Sequence, residues 1–494
     1  MVADHLVQAY RADPAHEEAA GIADRARPAL VRAARRARAL HAPERALALL
    51  DDALAMVTDD RERATIVEDA AAAAQAAGRS EIAERHWRRL IELRTVLGDR
   101  AGAARATARL ASLLLVIQRY DAALEEVEAA LDDLGEEDPE DTAAVELAGQ
   151  LARAHLLRGD MPKAVAYADR ALVFATRLGL IPVATDALIT RGTARVQIGE
   201  QAAGIEDLNE AISQCTAHDL PGLELRARNN MAWALVADDP RRTVDTARKG
   251  FEIGRQKSIR DWAVQLASVA LPAAVDTGDW DWALAAIADL ESEPMSPAHR
   301  LDIGATHAVL RALRGTANPA RPLTHLGPIP PDTDPQLQAL ADVAQAWIAF
   351  LRGRHARAAN LARQAADASI GFNRHAALVL CARAAMWGRD ERRLSQAMAT
   401  LRDEPLSGRS ASASVMTLEA GANALTRKVK AARSGYTAAI AAWRELALPL
   451  PLLLALLERE AFLRPTAAGA AEARRLIHRL GANGLTRLVV ARPG

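Results

Sequence analysis

One figure is written repeatedly along this 494-residue chain: a turn, a small residue five places later, and often another seven places beyond that. In "LARAHLLRGDMPKAVAYADRALVFATRLG", residues 151–179, Leu151–Arg158 reads as one helix and Pro162–Leu178 as a second. Gly159 suits the left-handed conformation that ends a helix. Asp160 can cap the next helix, and Pro162 falls in its first turn, where a missing N–H does no harm. Ala152 on the first helix faces Ala164 and Ala171 on the second, because two helices this close need small side chains at their crossing. Such a hairpin leaves one apolar face over and needs neighbours.

The neighbours are in the sequence. Turn positions recur at His41, Gly78, Gln118, Gly159, Gly199, Asp239, Gly278, Gly315, Gly353, Gly388 and Arg427, ten steps of about 38.6 residues. Five places after a turn stand Ala46, Ala83, Ala123, Ala164, Gly204, Ala283, Ala320, Ala358 and Ala432; twelve places after stand Ala53, Ala130, Ala171, Ala211 and Ala439. A last hairpin, "LLLALLEREAFLRPTAAGAAEARRLIHRLG", closes the series. A fixed period over nearly the whole chain predicts an all-α fold, an α-solenoid. Composition agrees: 50% of residues are apolar but only 3% aromatic, an interior of Ala, Leu and Val suited to closely spaced helices.

"GDMPKAVAYADRAL" and "QRYDAALEEVEAAL" resemble the tetratricopeptide (TPR) repeat. The resemblance implies about twelve TPR-like helical hairpins forming a right-handed superhelix. This period is a few residues longer than the family's roughly 34, the family's terminal proline is mostly missing, and Leu or Ala replaces most packing aromatics. HEAT-like repeats have a closer period, but the Gly-Asp turn and alanine spacing favour the tetratricopeptide pattern. The expected division is a lead-in over 1–22, repeats over 23–315, an interruption or hinge over 316–336, and further repeats with a cap over 337–494. The interruption, "TANPARPLTHLGPIPPDTDPQ", holds six prolines and should shorten or break the second helix of its repeat.

Motifs for catalysis are hard to find. The sequence has no Gly-Lys dipeptide for a phosphate-cradling loop, no HExxH, no GxSxG, and no Cys/His spacing of a metal site. No enzyme, metal or cofactor is expected. His155 is expected to be a packed residue rather than a ligand. Cys215 and Cys381 stand far apart in apolar helical contexts, as in a reducing cytoplasm. The N-terminus lacks a signal-peptide pattern, and "ALPLPLLLALL", residues 447–457, is too short and proline-broken to cross a bilayer, so a cytoplasmic location is expected and no membrane partner. With 62 Lys plus Arg against 63 acidic residues, nucleic acid is not the expected partner either. The best basic face, Arg25, Arg32, Arg35, Arg36 and Arg38, has acidic neighbours at Asp24, Glu44, Asp51 and Asp52 and no interleaved aromatics.

A solenoid's own chemistry is a groove. In tetratricopeptide arrays the first helix of each hairpin lines the concave surface, and the spacing places Arg105, Arg153, Asn229, Trp233 and Trp347 there. Asn229 and Trp233 share a helical face; an amide can bond an extended peptide backbone, and an indole supplies anchoring area. The same residues could instead satisfy helix ends and fill core gaps. Trp280 and Trp282, at a turn and the start of a second helix, are expected to pack.

"LRTVLGDRAGAARATARLASLLL", "RARNNMAWALVADDPRRTVDTARKGFEIGR" and "YTAAIAAWRELALPLPLLLALLE" resemble the helical repeat tails of large bacterial ATPase-containing signalling regulators of the nucleotide-cyclase or LuxR type. The residues of the ATPase and output domains are not in this sequence, so those activities do not carry over. The resemblance implies a scaffold or sensor in bacterial signal transduction. It would hold a protein or peptide partner in the concave groove, and a separate ATPase or regulator is a candidate partner. The alternative is a fragment of a transcription regulator acting through a DNA-bound partner or the Arg25–Arg38 face.

Overall fold

The computed structural model describes residues 2–13, 16–40, 42–134, 142–293, 295–327, 334–404 and 406–490, and every regular element among them is helical. Contacts divide the chain into two compact units, Met1–His218 and Asp219–Gly494. The first holds α1 (Val2–Ala12), α2 (Ala19–Ala39), α3 (Pro43–Leu54), α4 (Asp60–Ala76), α5 (Ser80–Val96), α6 (Arg100–Val116), α7 (Tyr120–Leu134), α8 (Thr142–Arg158), α9 (Met161–Arg177), α10 (Ile181–Gln197) and α11 (Gln201–Ala217). The second holds α12 (Pro221–Leu235), α13 (Pro240–Gln256), α14 (Arg260–Thr277), α15 (Trp280–Glu291), α16 (Pro297–Leu313), α17 (Arg321–His325), α18 (Pro335–Leu351), α19 (His355–Asp367), α20 (Gly371–Trp387), α21 (Glu391–Asp403), α22 (Arg409–Leu425), α23 (Val429–Glu445), α24 (Pro449–Phe462), α25 (Ala467–Leu480) and, after a short 3₁₀ turn, α26 (Thr486–Val490).

From α2 to α25 the helices pair in sequence, α2 with α3 through α24 with α25, as twelve hairpins among the described residues. Consecutive hairpins stack through their first helices, as α6 on α8, α8 on α10, α14 on α16 and α16 on α18. Each unit is thus a tetratricopeptide-like stack. The alanines that mark the period lie at the crossings: Ala46, Ala83, Ala123, Ala164, Ala283, Ala358 and Ala432 are fully buried, as are Ala53, Ala171, Ala211 and Ala439. Glycines allow a close approach of α10 and α11, where a Cβ on Gly204 would stand 2.6 Å from the carbonyl oxygen of Gly192. Ala130 and Ala320 are only partly buried, the latter beside the five-residue α17 into which the proline-rich stretch has contracted. Residues 328–333 of that stretch, and the turn position His41, lie outside the described residues.

The opening hairpin forms as its residues dictate. Gly159 has φ +85°, and the Asp160 side chain accepts the Lys163 backbone N–H at 3.3 Å. Left-handed backbone also marks the turns at Gly78, Gln118, Gly199, Gly278, Gly315, Gly353 and Arg427. At two further anchors the turn is built differently. Gly388 keeps a right-handed φ of −78° and the next residue, Arg389, takes the left-handed place at +56°. Asp239 caps α13 by accepting the Arg242 N–H at 3.1 Å.

The second unit closes on itself. The apolar run of α24 from Pro449 to Leu457 is buried at every position, together with Glu458, as a segment apolar on all sides must be. Its neighbours include α22 and α14. It also reaches α20, where Arg383 Nε donates to Glu458 Oε1 at 2.6 Å and the Trp387 and Phe462 rings meet at 5.3 Å. These neighbours are first helices of their hairpins. The unit's own last hairpin therefore covers faces that an open stack would leave to a partner. The apolar run at 447–457 is this internal helix.

Two substitutions test the hairpin crossings. Ala164→Arg should force a charged, bulky side chain into a fully buried crossing and cost roughly 3 kcal/mol or more; thermal unfolding followed by circular dichroism should show a marked fall in Tm. Arg36→Glu, on the exposed face of α2, should leave Tm nearly unchanged. At the closure, Glu458→Ala should leave Arg383 buried without its partner and cost about 3–5 kcal/mol, read by chemical denaturation.

Candidate functional site

In the first unit the first helices remain accessible. A groove of about 640 Å³ is lined by Arg35 and Arg38 of α2, Glu68, Asp69 and Gln75 of α4, Trp87 of α5, and Arg109 and Ser112 of α6. Its floor is ordered by polar contacts within and between hairpins. Arg38 donates to Asp69 at 2.9 Å, with Arg35 3.9 Å from the same carboxylate. Arg94 spans Glu68 at 3.2 Å and Asp99 at 2.7 Å. Asp99 is held below the usual carboxylate range, first by the backbone N–H of Gly102 and then by Arg94 and Arg105. The Trp87 indole N–H donates to Gln75 Oε1 at 3.3 Å, which fixes a ring that is otherwise buried.

Arg109 has no carboxylate partner among the described residues, and it lies exposed on α6 one turn beyond Arg105. Two guanidinium groups on one helical face, with the polar Gln75 and Ser112, make a surface for a segment carrying a carboxylate.

The sequence-predicted groove residues are dispersed. Arg105 is exposed on α6 and Arg153 half-buried on α8. Asn229 and Trp233 stand one turn apart on α12. Trp233 is exposed, while Asn229 donates to Asn230 at 3.3 Å and keeps its own Oδ1 buried without a partner among the described residues. Trp347, on α18, packs edge-on against Phe350 with centroids 6.1 Å apart. Trp280 is buried and donates to the Val275 carbonyl at 2.8 Å; Trp282 lies partly buried, edge-on to Phe251. His155 is buried and stacked on Tyr167 at 5.4 Å, its pKa lowered by desolvation.

The basic face of α2 has a different structure from the one its local sequence implies. Asp24 binds Arg27, Glu44 binds Arg79, Asp52 binds Arg11, and Asp51 faces His86. The acid that meets Arg35 and Arg38 is Asp69, one hairpin on. Sequence reasoning missed Asp69, Trp87 and Arg109. Only the Arg105/Arg109 spacing of four residues could have signalled the last.

The second unit's interior carries acids of a different kind. Burial pushes the Asp276 and Asp302 carboxyls up to about 6, opposed for the first by the charge of Arg383. Burial also raises Asp342 and Glu458. Among the described residues no group of three His, Cys, Asp or Glu is placed to hold a metal ion, and no helix is long and apolar enough to cross a membrane.

No protein-family model matches the chain, and no curated protein does. Solved structures similar to it include a Rap protein complexed with competence and sporulation factor, 12% identical, covering 76% of this chain and 98% of that one with a TM-score of 0.42. The Cut9-Hcn1 hetero-tetramer of the APC/C is 12% identical, covering 93% and 92%, with a TM-score of 0.44. A signal transduction ATPase with numerous domains and a tetratricopeptide repeat sensor, from Pyrococcus horikoshii, is 10% identical, covering 78% and 53%, with a TM-score of 0.43.

The raised aspartates give a pH test. Between pH 3.8, their ordinary value, and about 6 the folded state keeps protons that the unfolded state has released. Folding is therefore penalised progressively as pH rises through that window, and the penalty is complete above it. Asp276→Asn with Asp302→Asn should remove that penalty, so the denaturation midpoint of the double variant should rise relative to that of the native chain between pH 4 and pH 7.

Proposed function

We propose that this chain is a non-enzymatic protein-interaction module whose first unit binds an extended partner segment in the groove between α2, α4 and α6. The observation that carries this reading is the contrast between the units: first-helix faces are occupied by α24 in the second and accessible in the first. Arg109 and Arg105 would take a carboxylate of the segment, and Gln75 and Ser112 its backbone. The polar contacts beneath them already fix the shape of the groove, which lowers the ordering cost of binding. A scaffold or sensor role in bacterial signal transduction, with a separate ATPase or regulator as partner, follows the regulator resemblance of the sequence. The alternative of a DNA-facing Arg25–Arg38 surface loses weight because Arg35 and Arg38 are engaged by Asp69.

A photo-crosslinking residue in place of Ser112 tests the groove in lysate of the host. Mass spectrometry should identify a specific crosslinked protein, and the signal should drop roughly tenfold or more when Arg109→Glu reverses the charge. An unchanged crosslink pattern in that variant would overturn the assignment.

A further inference from the structure

Arginines at several turns of this stack are matched to acids of the hairpin before them. Arg79 meets Glu44 at 3.0 Å and Arg119 meets Glu84 at 2.8 Å, each pair 35 residues apart, and Arg314 is bound by Asp281. Each of these acids stands near the start of the preceding hairpin's second helix. The turn after α18 departs from the pattern. It carries Arg352 and Arg354, and the place 35 residues before Arg354 holds Pro319, where the preceding second helix has contracted to the five-residue α17. Both arginines are exposed and have no carboxylate partner among the described residues.

The space left by that contraction stays open as a cavity of about 380 Å³. Residues 483–487 form part of its wall and are held firmly in place. Leu485 and Leu488 are buried, and the backbone comes so close to the turn after α16 that a Cβ on Gly315 would stand 3.0 Å from the Gly484 nitrogen. Arg487, exposed and likewise without an acidic partner among the described residues, is thereby brought to the same cavity. No aspartate or glutamate lines it among the described residues, and its floor of Ala312, Pro319, Ile348 and Leu351 is buried and apolar. The Thr316 and Thr486 hydroxyls donate to the carbonyls of Arg311 at 3.0 Å and Asn483 at 2.7 Å. The three guanidiniums are therefore the charged donors that meet an entering ligand.

We propose that this cavity binds one small phosphate-bearing anion. Three cations line a site whose floor offers no counter-ion, and guanidinium groups match the oxygens of such an anion in charge and in geometry. A phosphate group presents three acceptor oxygens and nearly two charges, one acceptor more than a carboxylate. The cavity has the size of a small-molecule site, while a chain of net charge -1 lacks the surplus cations that a nucleic-acid backbone calls for. The site lies wholly within the second unit and is independent of the groove at Arg109.

Inorganic pyrophosphate serves as the probe for isothermal titration calorimetry with the full chain at low salt, with inorganic phosphate and malonate as parallel arms. Saturable binding at one site per chain is expected for both phosphates, weakening as salt rises, and malonate should bind roughly tenfold or more weakly than phosphate. Arg354→Ala and Arg487→Ala should each weaken pyrophosphate binding roughly tenfold or more. Ala317→Trp, at an exposed lining residue, should weaken it as much by filling the cavity with no change of charge. Arg392→Ala, on the exposed face of α21 outside the cavity, and Arg109→Glu should leave it unchanged; all variants should keep the native circular dichroism spectrum. Absence of saturable binding, equal weakening by Arg392→Ala, or malonate binding as tightly as phosphate would overturn the proposal. So would duplex DNA that binds more tightly than pyrophosphate and is lost in the same variants, since a nucleic-acid backbone would then be the occupant.

Discussion

Everything in this structure depends on how closely two helices of a hairpin approach. At the crossings the side chain is cut to a methyl group or less: Ala164, Ala171, Ala358 and Ala432 are fully buried, and at Gly192 and Gly204 the two backbones nearly touch. Close approach explains the low aromatic content, since a ring at those positions would force the helices apart. It also means that each crossing removes little apolar area from water. At about 25 cal/mol per Å² an alanine methyl contributes modestly, and a single hairpin cannot meet the entropy of ordering itself. Stability accumulates only by stacking.

The second unit adds a different source of stability. Helix α24 supplies a dense set of leucines, with Leu450, Leu453 and Leu456 fully buried, against neighbours that are otherwise rich in alanine. Large side chains fill the interior that the alanine crossings cannot. One ionic centre runs through that interior: Arg383 of α20 donates to Glu458 of α24 and faces Asp276 of α14. A buried pair of this kind contributes little net stability over apolar packing. Its directional 2.6 Å bond does fix where α24 sits along α20. The outcome is a unit with its interior filled by its own sequence, whereas the first unit keeps an open groove along α2, α4 and α6.

The repeat was legible in the sequence because its constraint is local. A crossing demands a small residue a fixed distance after a turn, so the demand is written once per hairpin and can be counted. Gly388 is instructive: the turn is where the period places it, yet Arg389 takes the left-handed conformation, because the period sets the turn to within a residue and cannot choose between neighbours. The groove was less legible. Asp69 meets Arg38, Glu44 meets Arg79 and Glu84 meets Arg119, each pair 31 or 35 residues apart. Such pairs require the stacking register as well as the hairpin. The acids nearest Arg25–Arg38 in sequence turned out to belong to other cations for this reason. The role of α24 was hidden more deeply, since an apolar run states that a helix is buried and says nothing of which surface buries it.

Charge pairing between hairpins also explains why net charge is a poor guide to this chain's partners. Individually these exposed pairs are worth little, but they recur at each step of the stack and consume cations and anions in equal numbers. A near-zero sum is their natural result. The inner faces of the first helices stand outside much of that pairing, and it is there that Arg109 remains unmatched among the described residues. One stacking rule thus produces both the paired exterior and the unmatched cation in the groove, from a sequence whose overall charge is -1.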